Sequence, residues 1–196
     1  MDGARVKRRT RGIVRVVAGR HRGRQILVPK GHIVRPTSNM VREAIFDVLQ
    51  EVDGLRVLDL FAGTGALGLE ALSRGARECV FVESDAGVAH TLRRNIAVLG
   101  EESRSIVVVG DYRQAASGLI DRREIFDLLF ADPPYRMLAE VELSLAPLAP
   151  SLLPEAGVLV IEGPTSIPVS FGGTLLLQRD YGDTRVTMIR LERSDP

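Results

Sequence analysis

Residues 59–68 read DLFAGTGALG, and the reading of this stretch decides the fold class. Gly63, Gly65 and Gly68 form a GxGxxG pattern. The apolar run RVLDLF (56–61) precedes it, and a segment with helical spacing near 66–74 follows. Glycine permits a tight strand-to-helix turn and lets a ligand approach the backbone closely. Alone the pattern is weak evidence; its place between a strand and a helix gives it weight. Glu83 ends the next apolar run, CVFVE (79–83), 24 positions after Asp59. A carboxylate there can accept from both hydroxyls of a ribose. The alternative is a plain structural turn with Glu83 capping a helix, and the combined spacing weighs against it.

Working outward, apolar runs alternate with helical segments. SIVVV (105–109), FDLLFA (126–131) and VLVIE (158–162) read as further strands, with helices near 86–98, 112–120 and 137–149. TLLLQ (174–178) and RVTMIRL (185–191) are separated only by a tight turn at Tyr181, Gly182 and Asp183. The pattern predicts an α/β fold: a parallel sheet with helices on both faces, closed by an antiparallel pair. Upstream, Val41, Ala44, Ile45, Val48, Leu49 and Val52 share one helical face, with Ser38 or Asn39 as cap and Gly54 as stop. IVRVVA (13–18) and RQILV (24–28) flank GRHRG and read as a small basic β-hairpin. The expected organisation is a basic, flexible extension over 1–11, the hairpin and its loop over 12–36, and the main domain over 37–196.

With 196 residues the chain suits one domain with a sizeable core. No apolar run is long enough to span a bilayer, and no signal-peptide apolar region or small-residue cleavage site follows the basic N-terminus, so a cytoplasmic location is expected. The lone Cys79 excludes an internal disulfide and a multi-cysteine zinc site. His21, His32 and His90 lack metal-ligand spacing, so no metal is expected. Residues 1–30 hold ten cations against Asp2 alone, in a chain whose net charge is +1. Such asymmetry points to a basic arm that meets a polyanion. His21, in the basic turn, reads as a surface residue.

The choice of cofactor follows from Asp59. A dinucleotide places its pyrophosphate at the helix N-terminus, where Asp59 would repel it. S-adenosylmethionine carries an ammonium and a sulfonium and no phosphate, and so suits a carboxylate. Asp111, ending the third strand of the alternation, can accept from an adenine amino group or cap the helix from Tyr112; both roles are open and compatible. The expected cofactor set is Asp59, Phe61, Gly63, Thr64, Gly65, Glu83, Asp111 and Tyr112.

FADPPYR (130–136) falls at a strand end, where open α/β sheets bind ligands. Asp132 and the carbonyl of Pro133 offer two acceptors for one exocyclic amino group, and Tyr135 offers a flat face for a base. Enzymes that act on a base edge commonly take the base out of its stack into such a pocket. An amino group conjugated with a purine is a poor nucleophile. Acceptors on both its hydrogens favour a pyramidal nitrogen with a localised lone pair, which can attack a sulfonium methyl in line. Positioning and preorganisation do most of that work. Asp132 or water takes the proton; the residues do not decide which.

DLFAGTG, Glu83 and DPPY together resemble a class I S-adenosylmethionine-dependent amino-methyltransferase. VAGRHRGRQILVP, RPTSNMVREAIFDVL and LDLFAGTGALGLEALSRGA extend the resemblance to the RsmD family of bacterial rRNA methyltransferases, over nearly the whole chain from about residue 13. The resemblance implies a Rossmann-like sheet of seven strands in the order 3-2-1-4-5-7-6. It implies methylation of the N2 amino group of guanine 966 in 16S rRNA, within the 30S subunit or an assembly intermediate. S-adenosylhomocysteine would be the co-product. Asp132, Pro133 and Tyr135 would hold the target base. Arg35, Thr37 and Arg42, in the RPT…RE segment with Pro36 and Glu43, would contact the RNA, together with Arg15, Arg20, Arg22 and Arg24 of the hairpin. Ser38-Asn39-Met40 stands where the family often has Thr-Asp-Arg, so one cationic contact is missing. Nothing demands more than a monomer. The alternatives are a DNA adenine or protein glutamine methyltransferase, a non-catalytic RNA-binding assembly factor, and an NAD-dependent oxidoreductase. In the last, Asp59 and DPPY have no task.

Overall fold

Apolar runs let seven strands share one sheet, the inner parallel ones burying both faces and the edge strands β5 (Ser105–Val109) and β8 (Thr174–Tyr181) staying partly exposed. In the computed structural model, which describes residues 14–29 and 38–192, these are β3 (Arg56–Asp59), β4 (Glu78–Glu83), β5 (Ser105–Val109), β6 (Leu128–Ala131), β7 (Val158–Pro164), β8 (Thr174–Tyr181) and β9 (Thr184–Arg190). Two short strands, β1 (Val14–Arg15) and β2 (Gln25–Ile26), form a separate antiparallel hairpin. The large sheet runs β5-β4-β3-β6-β7-β9-β8. Counted within the sheet, that is the expected 3-2-1-4-5-7-6. The first five strands pair in parallel, and β9 pairs antiparallel with both β7 and β8. The two-residue turn needed there is supplied by Gly182, at φ +65.

Among the described residues six α-helices cover the sheet: α1 (Ser38–Leu49), α2 (Ala66–Ser73), α3 (Ala86–Leu99), α4 (Tyr112–Asp121), α5 (Leu138–Leu145) and α6 (Ala149–Leu152). Period-two alternation divides the core cleanly. Val57, Phe81, Phe130, Val160 and Met188 face α1, α2, α3 and the hairpin. Leu58, Val82, Leu129, Ile161 and Ile189 face α4, α5 and α6. None of the helices is long and apolar enough to cross a membrane, among the described residues.

Two helices differ from the sequence reading. Helix α1 ends at Leu49 rather than at Gly54, because Gln50 turns left-handed at φ +58. Its buried face is Val41, Ile45 and Phe46, while Val48 is 39% exposed. The helix expected over 137–149 is broken into a 3-10 turn at Tyr135–Met137, then α5 and α6. The extension over 1–11 and the RPT segment (Arg35, Pro36, Thr37) lie outside the described residues.

The hairpin is held down by polar side chains that sequence periodicity does not reveal. Glu70 of α2, fully buried, accepts from the Val17 and Ala18 amides at 2.7 and 2.9 Å and from Arg74 Nε at 2.8 Å. Arg42 Nε lies 3.5 Å from the same carboxylate. Ser73 Oγ donates to the Ala18 carbonyl at 2.5 Å and accepts from the His21 amide at 3.0 Å. Gly19 is required beneath this contact: at φ +76, an added Cβ would lie 1.9 Å from the Ser73 carbonyl oxygen. Asn95 of α3 bonds both the amide and the carbonyl of Leu27. His21, expected on the surface, instead meets the buried Glu101 at 2.5 Å.

The glycine-rich turn is stapled in the same way. The Ala62 amide donates to the Val82 carbonyl, and Asp59 Oδ2 accepts from the Gly68 amide at 3.1 Å. Asp59 is 2% exposed. Burial pushes its carboxyl up to about 7, the charges of Asp132 and Glu83 add to this, and the Gly68 amide opposes it. The native state therefore keeps a proton that the unfolded chain gives up near pH 3.8. The stabilisation is full below that pH and is lost as pH rises through 7. Wild type should lose up to about 1.4 kcal/mol per pH unit across this window from Asp59 alone. Asp59→Asn, whose amide oxygen can still accept from Gly68, should remove that share; urea midpoints of both proteins from pH 5 to 8 measure the difference. Glu70→Ala should cost about 3–5 kcal/mol, because it strips a buried guanidinium and two amides of their partner. Urea denaturation reads the total, and faster hydrogen exchange at the Val17 and Ala18 amides localises the loss.

Candidate functional site

The carboxyl ends of β3, β4, β5, β6 and β7 open into one cleft of about 710 Å³, a size that accommodates a nucleoside-sized ligand. One half is built around the glycine turn. Gly63 stands at φ +53 with only the Phe61 carbonyl, at 3.9 Å, near the position of its missing Cβ, so a ligand can reach the backbone there. Its amide donates to Glu83 Oε2 at 2.9 Å, and Asp85 donates its amide to Oε1 at 2.8 Å. Glu83 is thereby fixed by two backbone groups at the cleft edge. Phe61 and Tyr112 form an aromatic wall, ring centroids 4.8 Å apart, and the Tyr112 hydroxyl is tied to Ser144 at 2.6 Å. Asp111 caps α4 by accepting from the Arg113 amide. The Arg113 guanidinium bonded to it holds its carboxyl below the usual range. Phe61, Gly63, Thr64, Glu83, Asp111 and Tyr112 all line the cleft.

The other half is the Asp132-Pro133-Pro134 turn. Asp132 is exposed to the cleft and Pro133 is buried beneath it. The turn is closed by the Met137 amide donating to the Pro134 carbonyl at 2.8 Å. Beside it, β7 contributes Glu162 near its end and β9 contributes Thr184 at its start. The hairpin and α1 close the cleft with Val14, Val28, Val41 and Arg42. Five carboxylates line the space (Glu83, Asp85, Asp111, Asp132, Glu162) against two guanidinia (Arg42, Arg136). That balance disfavours a pyrophosphate and favours a cation or a neutral hydrogen-bond donor. At the N-terminus of α2, where a dinucleotide would seat its phosphates, the Gly68 amide of the first turn is already taken by Asp59.

Four of the residues named from sequence are placed differently from that reading. Asp59 does not line the cleft; it sits behind the turn and shapes it through Gly68. Gly65 is needed for packing: at φ +84, a Cβ would meet Leu92 Cδ1 at 2.4 Å. Tyr135 is half-buried beside the cleft, not on its lining, with its hydroxyl on Thr184 Oγ1 at 2.6 Å. Arg42, expected to contact RNA, is 2% exposed and donates to the Arg15 carbonyl and to Asn39 Oδ1. Burial pulls its guanidinium below the usual value, and Glu70 and Glu162 counter that. Arg42 thus ties the hairpin to α1, and only the cleft sees it. Arg15, Arg20, Arg22 and Arg24 are exposed on the hairpin, outside the cleft. Sequence reasoning missed Arg136, Met137, Glu162 and Thr184. Glu162 carried a signal, since it ends an apolar run as Glu83 does.

Comparison with known proteins matches this arrangement to one family. The family described as Conserved hypothetical protein 95 matches residues 14–190. The "Putative rRNA methyltransferase YlbH" of Bacillus subtilis is 33% identical over 90% of this chain and 98% of its own length. The "Ribosomal RNA small subunit methyltransferase D" of Escherichia coli is 39% identical over 64% of this chain, a stretch spanning 62% of that relative. Among solved structures, the "Putative methyltransferase yhhF from Escherichia coli" superposes with a TM-score of 0.78 at 29% identity, over 93% of this chain and all of the other. The fold is that of the class I S-adenosylmethionine-dependent methyltransferases. The resemblance to the RsmD family read from the sequence holds, and the chain belongs to the Conserved hypothetical protein 95 family, whose matched relatives include proteins named ribosomal RNA small subunit methyltransferase D.

Proposed function

We propose that this protein transfers a methyl group from S-adenosylmethionine to the exocyclic N2 amino group of a guanine in small-subunit rRNA, guanine 966 of 16S rRNA being the specific target. The observation that carries this reading is the placement of Asp132 and Pro133 on the same anionic cleft as Glu83 and Gly63.

The donor set fits the cofactor. Glu83, held by two amides, keeps lone pairs for ribose hydroxyls. Gly63 admits the ligand to the backbone, Phe61 and Tyr112 offer an apolar wall for its base, and Asp111 stands beside that wall. When bound, the cofactor supplies an electrophilic methyl carbon on a cationic sulfur. Asp132 and the Pro133 carbonyl receive the two hydrogens of the guanine amino group and localise its lone pair. The nitrogen gains the methyl carbon and gives up one proton, to Asp132 or to water. The surrounding carboxylates favour a cationic donor before reaction over the neutral thioether after it, which aids release of the product.

Substrate binding falls to the exposed arginines of the hairpin, which suit phosphates. Their position outside the cleft separates anchoring from chemistry. Mass spectrometry of small-subunit particles incubated with the enzyme and cofactor should find one new N2-methylguanosine. Asp132→Ala should lower transfer by about 100-fold or more, with cofactor affinity by calorimetry unchanged; undiminished transfer in that variant would remove Asp132 from the mechanism. The double variant Arg20→Glu/Arg22→Glu should bind particles at least about tenfold more weakly and flatten the salt dependence by about two charges. Its cofactor affinity should be that of wild type.

A further inference from the structure

We infer that Glu162 selects guanine over other purines by accepting the hydrogen on N1. This deepens the reading above, in which Asp132 and the Pro133 carbonyl receive the guanine N2 amino group. Parallel strands β6 and β7 set Ala131 opposite Ile161. The next residues, Asp132 just past the end of β6 and Glu162 still within β7, therefore stand side by side. By the alternation of the pleat Glu162 falls on the face of Val160, toward α1 and the hairpin, and Asp132 follows Phe130 of the same face by two residues. Both line the cleft. Behind Glu162 stands the buried Arg42, whose charge it stabilises. Across the sheet Glu162 faces Val186, two residues from Thr184, which closes the cleft beside it.

Guanine presents three donors in a row, the N1 hydrogen and the two amino hydrogens. The strand ends present three acceptors to meet them: the Glu162 carboxylate, the Asp132 carboxylate and the Pro133 carbonyl. Adenine presents a lone pair at N1 and would face a carboxylate across it. A site that hydrogen-bonds a substrate donor rejects analogues lacking it far more strongly than an apolar pocket rejects a change of shape. The amino group alone does not distinguish guanine from 2,6-diaminopurine, which keeps the N2 amino group but carries a lone pair at N1. Glu162 does.

The test uses the full-length enzyme and small-subunit particles assembled with either guanine or 2,6-diaminopurine at the nucleotide that wild type methylates. Wild type should prefer guanine by about 100-fold or more in kcat/KM. Glu162→Gln should keep cofactor affinity, lose about tenfold on guanine and gain on diaminopurine, because its amide can donate to N1. The preference should then collapse to within about tenfold. Equal use of both bases by wild type overturns the inference without reference to any variant. So does a Glu162→Gln enzyme that loses both substrates equally, which would mark Glu162 as a support for Arg42. If wild type methylates no guanine N2 in any particle, the proposed function itself fails and takes this inference with it.

Discussion

A single buried carboxylate sets the geometry on which the rest depends. Glu70 lies in the middle of α2, with no solvent to share its charge. Its partners come from three elements: the Val17 and Ala18 amides of the hairpin, Arg42 of α1, and Arg74 one turn along its own helix. Burying an unpaired charge is prohibitive, so these partners must assemble together or not at all. The result is cooperative docking of a basic hairpin that has little apolar surface of its own. Val14, Val16 and Ile26 are its buried contribution. Those three side chains alone do not define an orientation on the sheet; directional hydrogen bonds from Glu70, Ser73 and Asn95 do.

That docking completes the cleft. Without the hairpin and α1, the strand ends would open on solvent along the side now closed by Val14, Val28, Val41 and Arg42. Arg42 occupies both places. It bonds the Arg15 carbonyl and faces Glu70, and its charge reaches Glu162 in the cleft wall. The contact that orients the arm therefore also sets the electrostatics of the far wall.

These contacts explain what was legible in the chain and what was not. Strand and helix alternation and the placement of Glu83 and Asp132 were readable, because each rests on local periodicity or on a turn within a few residues; the order of the sheet came from the family resemblance, since periodicity does not say which strands are neighbours. The three glycines of DLFAGTGALG were readable as a group but not one by one. Gly63 leaves space for a ligand, Gly65 spares a clash with Leu92, and Gly68 spares one with Phe81 and Cys79. Only packing separates these tasks. Arg42 and His21 were misread for a related reason. Their partners, Glu70 and Glu101, lie 28 and 80 positions away, and a charged residue in a basic segment reads as solvated until such a partner is known. Asp59 was read as a ligand contact because its strand-end position is shared with Glu83. The register sets Asp59 opposite Phe81, two residues short of Glu83, so it is buried and bonded to the Gly68 amide instead.

The distribution of charge follows the same division. Cations stand on the hairpin surface and carboxylates line the cleft. A nucleic acid approaching such a surface has its phosphates drawn to the arginines and repelled from the strand ends. What can enter an anionic cleft is the uncharged, donor-rich edge of a base. Adenine offers one amino group there, cytosine one, and guanine an amino group beside an N–H. Among the bases, guanine offers the longest row of donors to a row of acceptors. On the proposed reading, the strand-end acids that deter a backbone are also the groups that read a base, so that one arrangement would serve both exclusion and recognition.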